Sequence, residues 1–443
     1  MSLKLKAVNG VIWNSIETIG NQLIQFLITI LLARILLPED FGVIGLLLIF
    51  SELSRVIQES GFTQALIRKN NVSQSEFSSI FFFNILISLA LYLLLYFSSP
   101  LIAEFYNFPE LTSIARVSFL AILINSFGIV QNAIVVKELK FKILAKRTIT
   151  ANFLAGIISV LLAYFGFGVW ALVFQIVFAS FLRVLLLWIM TNWMPSKILN
   201  FKLVKEIYRF SLNLLISGIF DVIVSNIQSL LIGKFYSRAD LGFYSQASRM
   251  QRIPSATLTS IAKNVSYPIL VKVQDSDEQL KKGYKEIIEI SFFIVFPIMI
   301  FLLTIGENLI IFLLSDKWIE SVDYFRILCI VGAIYPLYSI NLNIFLVKGN
   351  SKMFLKTGIV KRIISLVAII ITVKISILYM IWGHVFATIL NTFITMYFSG
   401  KLINYGIKEQ INDLKKVFIC TLITSIILFL FDYYITLSSV FLL

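Results

Sequence analysis

The sequence predicts an all-α integral membrane protein built as two six-helix bundles, a parallel duplication, followed by one extra helix and a short tail. Three observations predict it. Of 443 residues, 58% are hydrophobic and only 14% charged, against about 25% charged in an ordinary soluble domain. Apolar windows of about 20 residues, enough to cross a ~30 Å hydrocarbon core, recur along the whole chain. The chain also repeats itself at an offset of 200: ILLARILLPEDFGVI (30–44) returns as LLIGKFYSRADLGFY (230–244), with Ala33 on Gly233, Arg34 on Lys234, Asp40 on Asp240 and Gly42 on Gly242. Six windows separate the copies, so both have the same orientation in the membrane.

The windows, in order, are 12–36, 41–67, 78–103, 111–136, 143–165, 168–191, 209–235, 241–271, 286–314, 321–347, 358–379, 381–404 and 416–432. Lys4 and Lys6 precede the first, which opens with Asn14, Glu17 and Asn21 and has no small-residue cleavage site, so it reads as a retained helix. The N-terminal bundle covers 1–200. Pro195 stops its sixth span, and in 194–208 Ile198, Phe201, Val204 and Ile207 alternate with Lys197, Lys202 and Lys205, which suits a short amphipathic helix on the inner membrane surface. The second bundle covers 209–404. Segment 405–443 lies outside the duplication, and its stub 433–443 reaches only about 16 Å as a helix, too short to span.

Orientation follows from the cations. The N-terminus and alternate inter-span segments hold 26 of the 38 Lys and Arg residues, while the opposite loops carry Glu39, Asp40, Glu104, Glu110, Asp316, Glu320 and Asp323. This positive-inside asymmetry puts the N-terminus in the cytoplasm. The net charge of +14 therefore marks orientation and contact with anionic lipid, not nucleic-acid binding. Cys329 and Cys420 lie in spans, and a single histidine, His384, offers no metal site or nucleophile relay; a packing or interfacial role is expected for it. No Gly-rich phosphate loop, HExxH or nucleophile elbow is present, so no enzyme and no cofactor is expected.

Function is carried by polar groups inside the spans. Arg55, Arg183, Arg249, Arg252 and Lys263 fall in apolar stretches, where a charge costs roughly 2.5–3.5 kcal/mol and usually lines a cavity or meets a partner. Asn14, Glu17, Asn21 and Gln25 form one stripe on the first span, and Ser217, Asp221, Ser225 and Gln228, with Asn226 beside them, a matching one on the seventh. Facing each other they would line a central cavity; hydrogen bonding between packed helices is the competing reading. Glu52, Arg55 and Glu59 lie within about 60° of one another, so Arg55 pairs on its own helix. Arg249 and Arg252 share a face with no acid, and a guanidinium fork suits a phosphate or diphosphate. Arg55, Arg249 and Arg252 are thus expected to bind substrate anion, Asn14, Asn21, Gln25, Ser217, Asn226 and Gln228 to contact sugar, and Glu17, Asp221 and Glu52 to serve coupling or gating with a proton or Na⁺. Trp13, Tyr244 and Tyr267 are candidates for stacking on sugar rings. Arg183 has no assigned role.

Several stretches together resemble a known family: RILLPEDFGVIGL (34–46), GFTQALIRKNNVSQSEFSSIFFFN (61–84), VVKELKFKILAKRTI (135–149), YFGFGVWALVFQ (164–175), ADLGFYSQASRMQRIP (239–254) and DKWIESVDYFRIL (316–328). They are similar to polysaccharide exporters of the teichuronic-acid, colanic-acid and O-antigen type, within the multidrug/oligosaccharidyl-lipid/polysaccharide exporter superfamily. The resemblance covers about 1–400. It implies two lobes in a V around a central cavity and alternating access. It also implies an undecaprenyl-diphosphate-linked oligosaccharide turned to the outer leaflet of a bacterial inner membrane, beside a glycan polymerase and glycosyltransferases as partners. Relatives carry cavity cations on the first, second and eighth helices; here the first has Glu17 instead. Such exporters often have fourteen spans, and this tail departs from that. The rivals are a cation-coupled multidrug antiporter of the same superfamily, a membrane-bound polymerase or acyltransferase, and a non-transporting assembly partner.

Overall fold

The computed structural model describes residues 3–59, 66, 72–196 and 201–440, leaving out some side chains within helices, 3–8, 201–214 and 428–440 among them. Each predicted window is helical over its described residues, apart from short breaks inside the fourth, ninth and eleventh and single residues at some window ends; residues 60–65 and 67 of the second lie outside the described residues. In order the helices are α1 Leu3–Ile35, α2 Pro38–Glu59, α3 Gln74–Phe105, α4 Leu111–Ser118, α5 Leu120–Ser126, α6 Ile129–Lys137, α7 Phe141–Tyr164 and α8 Val169–Met190. Then follow α9 Phe201–Phe235, α10 Arg238–Lys272, α11 Asp277–Thr304, α12 Gly306–Leu314, α13 Ser321–Val347, α14 Ser351–Thr372, α15 Ile377–Ile403 and α16 Ile407–Val440. Among the described residues eight helices are long and apolar enough to cross a membrane, or nine if the bent α4–α6 segment counts as one span. Two helices outside this set carry charge mid-helix: Arg249, Arg252 and Lys263 in α10, and Lys356, Lys361 and Arg362 in α14.

Three boundaries differ from the sequence expectation. The fourth span is broken, with Ile129–Lys137 turned 44° from Leu111–Ser126; the Trp188 indole donates to the Phe127 carbonyl at 2.9 Å, satisfying backbone the break frees. Residues 201–208, read as a separate surface helix, are the opening turns of α9; residues 197–200 lie outside the described residues. The tail read as a helix over 416–432 plus a stub is continuous helix to Val440, because 407–440 contains no Gly or Pro to stop it.

The chain divides into two compact units, Met1–Gly242 and Phe243–Leu443, a later division than the 194–208 linker. The reason lies in α9, which packs antiparallel along α2. Its glycines permit the approach: a Cβ on Gly233 would stand 2.4 Å from Leu46 Cδ2, and one on Gly218 2.8 Å from Val56 Cγ1. Within Met1–Gly242 the repeat is visible in atomic detail. Asp40 accepts from the Leu37 amide at 3.0 Å and Asp240 from the Ser237 amide at 3.1 Å, the same helix-start bond at the same offset of 200. The two starts also cross reciprocally. A Cβ on Gly42 would lie 1.8 Å from the Arg238 carbonyl oxygen, and one on Gly242 1.9 Å from that of Pro38. Only glycine admits backbone this close.

Each unit has its own apolar core. In the first, Ile28 and Leu32 of α1, with Leu36 just beyond its end, pack with Ala163, Ala171 and Leu172, and Phe81 lies edge-on to Trp188 and Trp193. In the second, Tyr284, Phe292 and Met299 of α11 pack with Ile340 and Ile344 of α13 and with Tyr405. Leu94, Phe97, Leu101 and Phe312 are exposed, as suits side chains that face lipid rather than water.

Candidate functional site

The α1 polar stripe finds its partners inside the first unit, on α7. The two helices run side by side and parallel: Glu17 meets Thr148 and Asn21 meets Asn152. Thr148 Oγ1 donates to Glu17 Oε1 at 2.7 Å, and Asn152 Nδ2 donates to Asn21 Oδ1 at 2.5 Å. Gly156 permits the approach, since a Cβ there would stand 1.9 Å from Ile28 Cδ1. A hydrogen bond to a carboxylate is worth about 1.5–3 kcal/mol, which offsets part of the cost of Glu17 at this depth. Glu17 and Asn21 remain half-buried and Asn14 exposed, so one side of the stripe stays open.

The network extends to two arginines. Arg147, on α7, donates from Nη1 to Asn132 Oδ1 of α6 at 3.0 Å and from Nη2 to the Thr148 hydroxyl at 3.3 Å. Arg183, on α8, donates from Nη2 to Ser180 Oγ at 3.0 Å, and Asn125 Nδ2 of α5 donates to the same oxygen at 3.3 Å. Asn125 and Asn132 stand on either side of the fourth-span break; Arg147 bonds one arm directly, and Asn125 on the other shares the Ser180 hydroxyl with Arg183. Arg183 thereby gains a place in the structure that the sequence did not supply.

On α2, Arg55 forms the same-helix pairs its spacing allowed, 2.6 Å to Glu52 and 3.4 Å to Glu59. All three side chains are more than a third exposed, and such pairs contribute about 0–1 kcal/mol. Their effect is local neutralisation: Arg55 sits between two carboxylates. On α9, Asn226 Nδ2 donates to the Val222 carbonyl at 2.9 Å on its own helix. Gln228 is buried, Gln25 half-buried, and Ser217 and Asp221 exposed.

The second unit gathers cations. Arg249 and Arg252 are both exposed on α10, whose one acidic residue is Asp240, three turns away. The charges of Lys361, on α14, and Arg252 both act on His384 of α15, and Lys361 Nζ lies 4.0 Å from the centre of the Tyr338 ring of α13. Below this, a clamp holds the extra helix α16 to α11. Lys281 pairs with Glu409 at 2.7 Å and Lys285 with Asp413 at 2.7 Å, while the Tyr405 hydroxyl donates to Asp413 at 2.7 Å. Partial burial works to raise the Asp413 carboxyl, but the hydrogen bonds and charges of Lys285, Tyr405 and Lys281 outweigh it and hold it below the ordinary carboxylate range. Among the described residues no cluster of three or more His, Cys, Asp or Glu could hold a metal.

Sequence reasoning missed Arg147, Thr148, Asn152 and Lys361. Arg147 and Lys361 were counted as cations of inner segments; both lie well inside helices. A signal for α7 existed: Thr148, Asn152 and Ser159 repeat at helical spacing and all three are buried.

The sequence profile of the family described as "Polysaccharide biosynthesis protein" matches residues 31–323. The chain belongs to that family. Teichuronic acid biosynthesis protein TuaB of Bacillus subtilis is 25% identical over 433 residues, covering 97% of this chain and 89% of the relative. Lipopolysaccharide biosynthesis protein WzxC of Escherichia coli is 23% identical, covering 84% and 76%. Among solved structures, the lipid II flippase MurJ in an inward closed conformation superposes with a TM-score of 0.75 at 14% identity, covering 97% of this chain and 100% of that one. An inward-facing multidrug resistance MATE family transporter of the MOP superfamily gives 0.69 at 14% identity, covering 89% and 98%. The fold is the one these transporters share, and the protein is a multi-pass membrane protein.

Proposed function

We propose that this family member is a flippase that moves an undecaprenyl-diphosphate-linked oligosaccharide from the cytoplasmic to the outer leaflet by alternating access. The observation that carries the reading is the set of cations in the second unit, where Arg249 and Arg252 share α10 with no acid nearer than Asp240 and the charges of Arg252 and Lys361 both reach His384 inside a membrane bundle. A diphosphate is the substrate group such charge suits, and attraction in a partly dehydrated space greatly exceeds that in bulk water. Arg249 and Arg252 are assigned to the diphosphate, and Lys361 joins them. Arg55 contributes less than its sequence position promised, because Glu52 and Glu59 already neutralise it. Asn14, Gln25, Ser217 and Gln228 solvate sugar hydroxyls, which need partners away from bulk water. The names of TuaB and WzxC, which place those relatives in polysaccharide biosynthesis, support the substrate class. The N-terminus is assigned to the cytoplasm, and glycosyltransferases and a polymerase are the expected partners.

The test is reconstitution into vesicles with a fluorescent lipid-diphosphate oligosaccharide and an impermeant agent that destroys outward-facing label. Wild type is expected to equilibrate the label between leaflets. Arg252→Ala and Arg249→Ala are expected to abolish this with expression intact, and Arg252→Lys to retain part of it, since the fork is lost but the charge kept. Normal flipping by both alanine variants would refute the assignment. A multidrug antiporter is the second reading, resting on Glu17 and Asp221. The engagement of Glu17 by Thr148 and the nearby charge of Arg147 work against capture of a cationic drug there.

A further inference from the structure

The turn between α7 and α8 lies in the YFGFGVWALVFQ stretch (164–175), which neither the polar network of the first unit nor the cations of the second put to use. It displays aromatic rings: Tyr164 is 77% exposed, Phe165 71%, Phe167 53% and Trp170 40%. No charged residue lies between Arg147 and Arg183, whereas the outward connections into α2, α4 and α13 carry Glu39 and Asp40, Glu104 and Glu110, and Asp316 and Glu320. The backbone of the turn asks little of water. The Gly166 amide donates to the Ala163 carbonyl at 3.0 Å and the Phe167 amide to that of Leu162 at 3.1 Å, a helix-end motif that needs Gly166 at φ +84°. The amides of Phe165, Trp170 and Ala171 also find carbonyls within the hairpin, and that of Val169 bonds the Asp40 carboxylate. Backbone satisfied in this way can leave water.

We propose that this turn is an anchor seated among the headgroups of the outer leaflet, with the lipid surface as its partner. Rings this exposed would be costly in water, while Tyr and Trp suit the headgroup level, where an apolar body meets lipid and a polar tip meets water. Both flanking helices are long and apolar enough to cross a membrane, and the apolar surface reaches the turn without a break: Ile157 and Leu161 of α7 are exposed just below it. Through the bond from Val169 to Asp40, the anchored turn also holds the start of α2, which fixes the depth of the outer end of the first unit. The outward side is the one assigned from the cations, and the anchor's seat does not depend on what the protein carries.

The test is nitroxide accessibility in the full-length protein reconstituted into phosphatidylethanolamine–phosphatidylglycerol vesicles, with Cys329 and Cys420 replaced and one spin label at a time. Phe167→Cys carries the label at the turn, Glu110→Cys is the water reference and Leu94→Cys the lipid reference. Oxygen concentrates in lipid and a nickel chelate in water. The ratio of oxygen to nickel relaxation at position 167 is expected to stand severalfold above that at 110 and below that at 94. Combining Tyr164→Ser, Phe165→Ser and Trp170→Ser, which removes three exposed rings, is expected to bring the ratio at 167 down severalfold toward the value at 110. A ratio at 167 equal to that at 110 would place the rings in water, as a docking surface for a soluble partner, and overturn the anchor. A ratio unchanged by the three serines would overturn it too, since the helices alone would then set the depth. The first comparison decides the matter by itself if the serine variant does not fold.

Discussion

The reciprocal glycine crossing gives a prediction whose size can be worked out. A Cβ on Gly42 would lie 1.8 Å from the Arg238 carbonyl oxygen, where ordinary contact begins at 3.4 Å. The obstacle is backbone, so no rotamer change relieves it. The helix starts α2 and α10 must separate by about 1.5 Å, and overpacking of this kind costs about 1–3 kcal/mol. Gly42→Ala and Gly242→Ala are each expected to lower the detergent unfolding midpoint by that equivalent. Because either substitution opens the same gap, the double variant should cost clearly less than the sum of the two, a coupling of about 1 kcal/mol or more. Gly358→Ala is the control: it sits mid-helix in α14 with nothing within 4 Å of its Cβ position, and should be neutral or stabilising by up to about 1 kcal/mol. Two alanine variants that unfold like wild type, or a double variant that is strictly additive, would refute a backbone contact at this crossing.

Glu17→Gln and Asp221→Asn are expected to change how flipping depends on an imposed proton or Na⁺ gradient while leaving substrate binding in place; unchanged gradient dependence in both would assign these acids to packing. The Asp413 clamp should respond to acid. Its carboxyl is held below the usual range in the folded state, so its contribution is full above about pH 4, the unfolded value, and is lost as pH falls through the folded one. Asp413→Asn should cost about 1 kcal/mol at neutral pH and flatten that acid limb, read as proteolytic release of α16; an acid limb identical to wild type would remove Asp413 from the clamp. For topology, a cysteine replacing Lys140, in a background without Cys329 and Cys420, should be shielded from an impermeant thiol reagent in intact cells. Labelling there from outside would reverse the orientation.

Much of the fold was legible because a bilayer demands it. Any span must be a helix that satisfies its own backbone, so apolar windows alone located every one. The duplication was legible because helix starts need local chemistry: Asp40 and Asp240 bond amides three residues back, and Gly42 and Gly242 are required where backbone meets backbone. What sequence could not reach was partner choice. The Asn14–Glu17–Asn21 stripe is visible along α1, but nothing along the chain says that α7, rather than the matching stripe on α9, accepts Glu17 and Asn21. Arg147 and Lys361 read as inner-segment cations because charge counting cannot tell how far a helix carries a residue into the membrane. Arg183 bonds Ser180 three residues back on its own helix, and only the further link from Asn125 to that hydroxyl requires α5 and α8 to meet. The sequence thus determined the elements, their duplication and the presence of costly charge among them. Only the tertiary structure decided which polar groups meet across helices, Glu17 with Thr148 and Arg147 with Asn132, because that depends on distances between helices that share no local sequence.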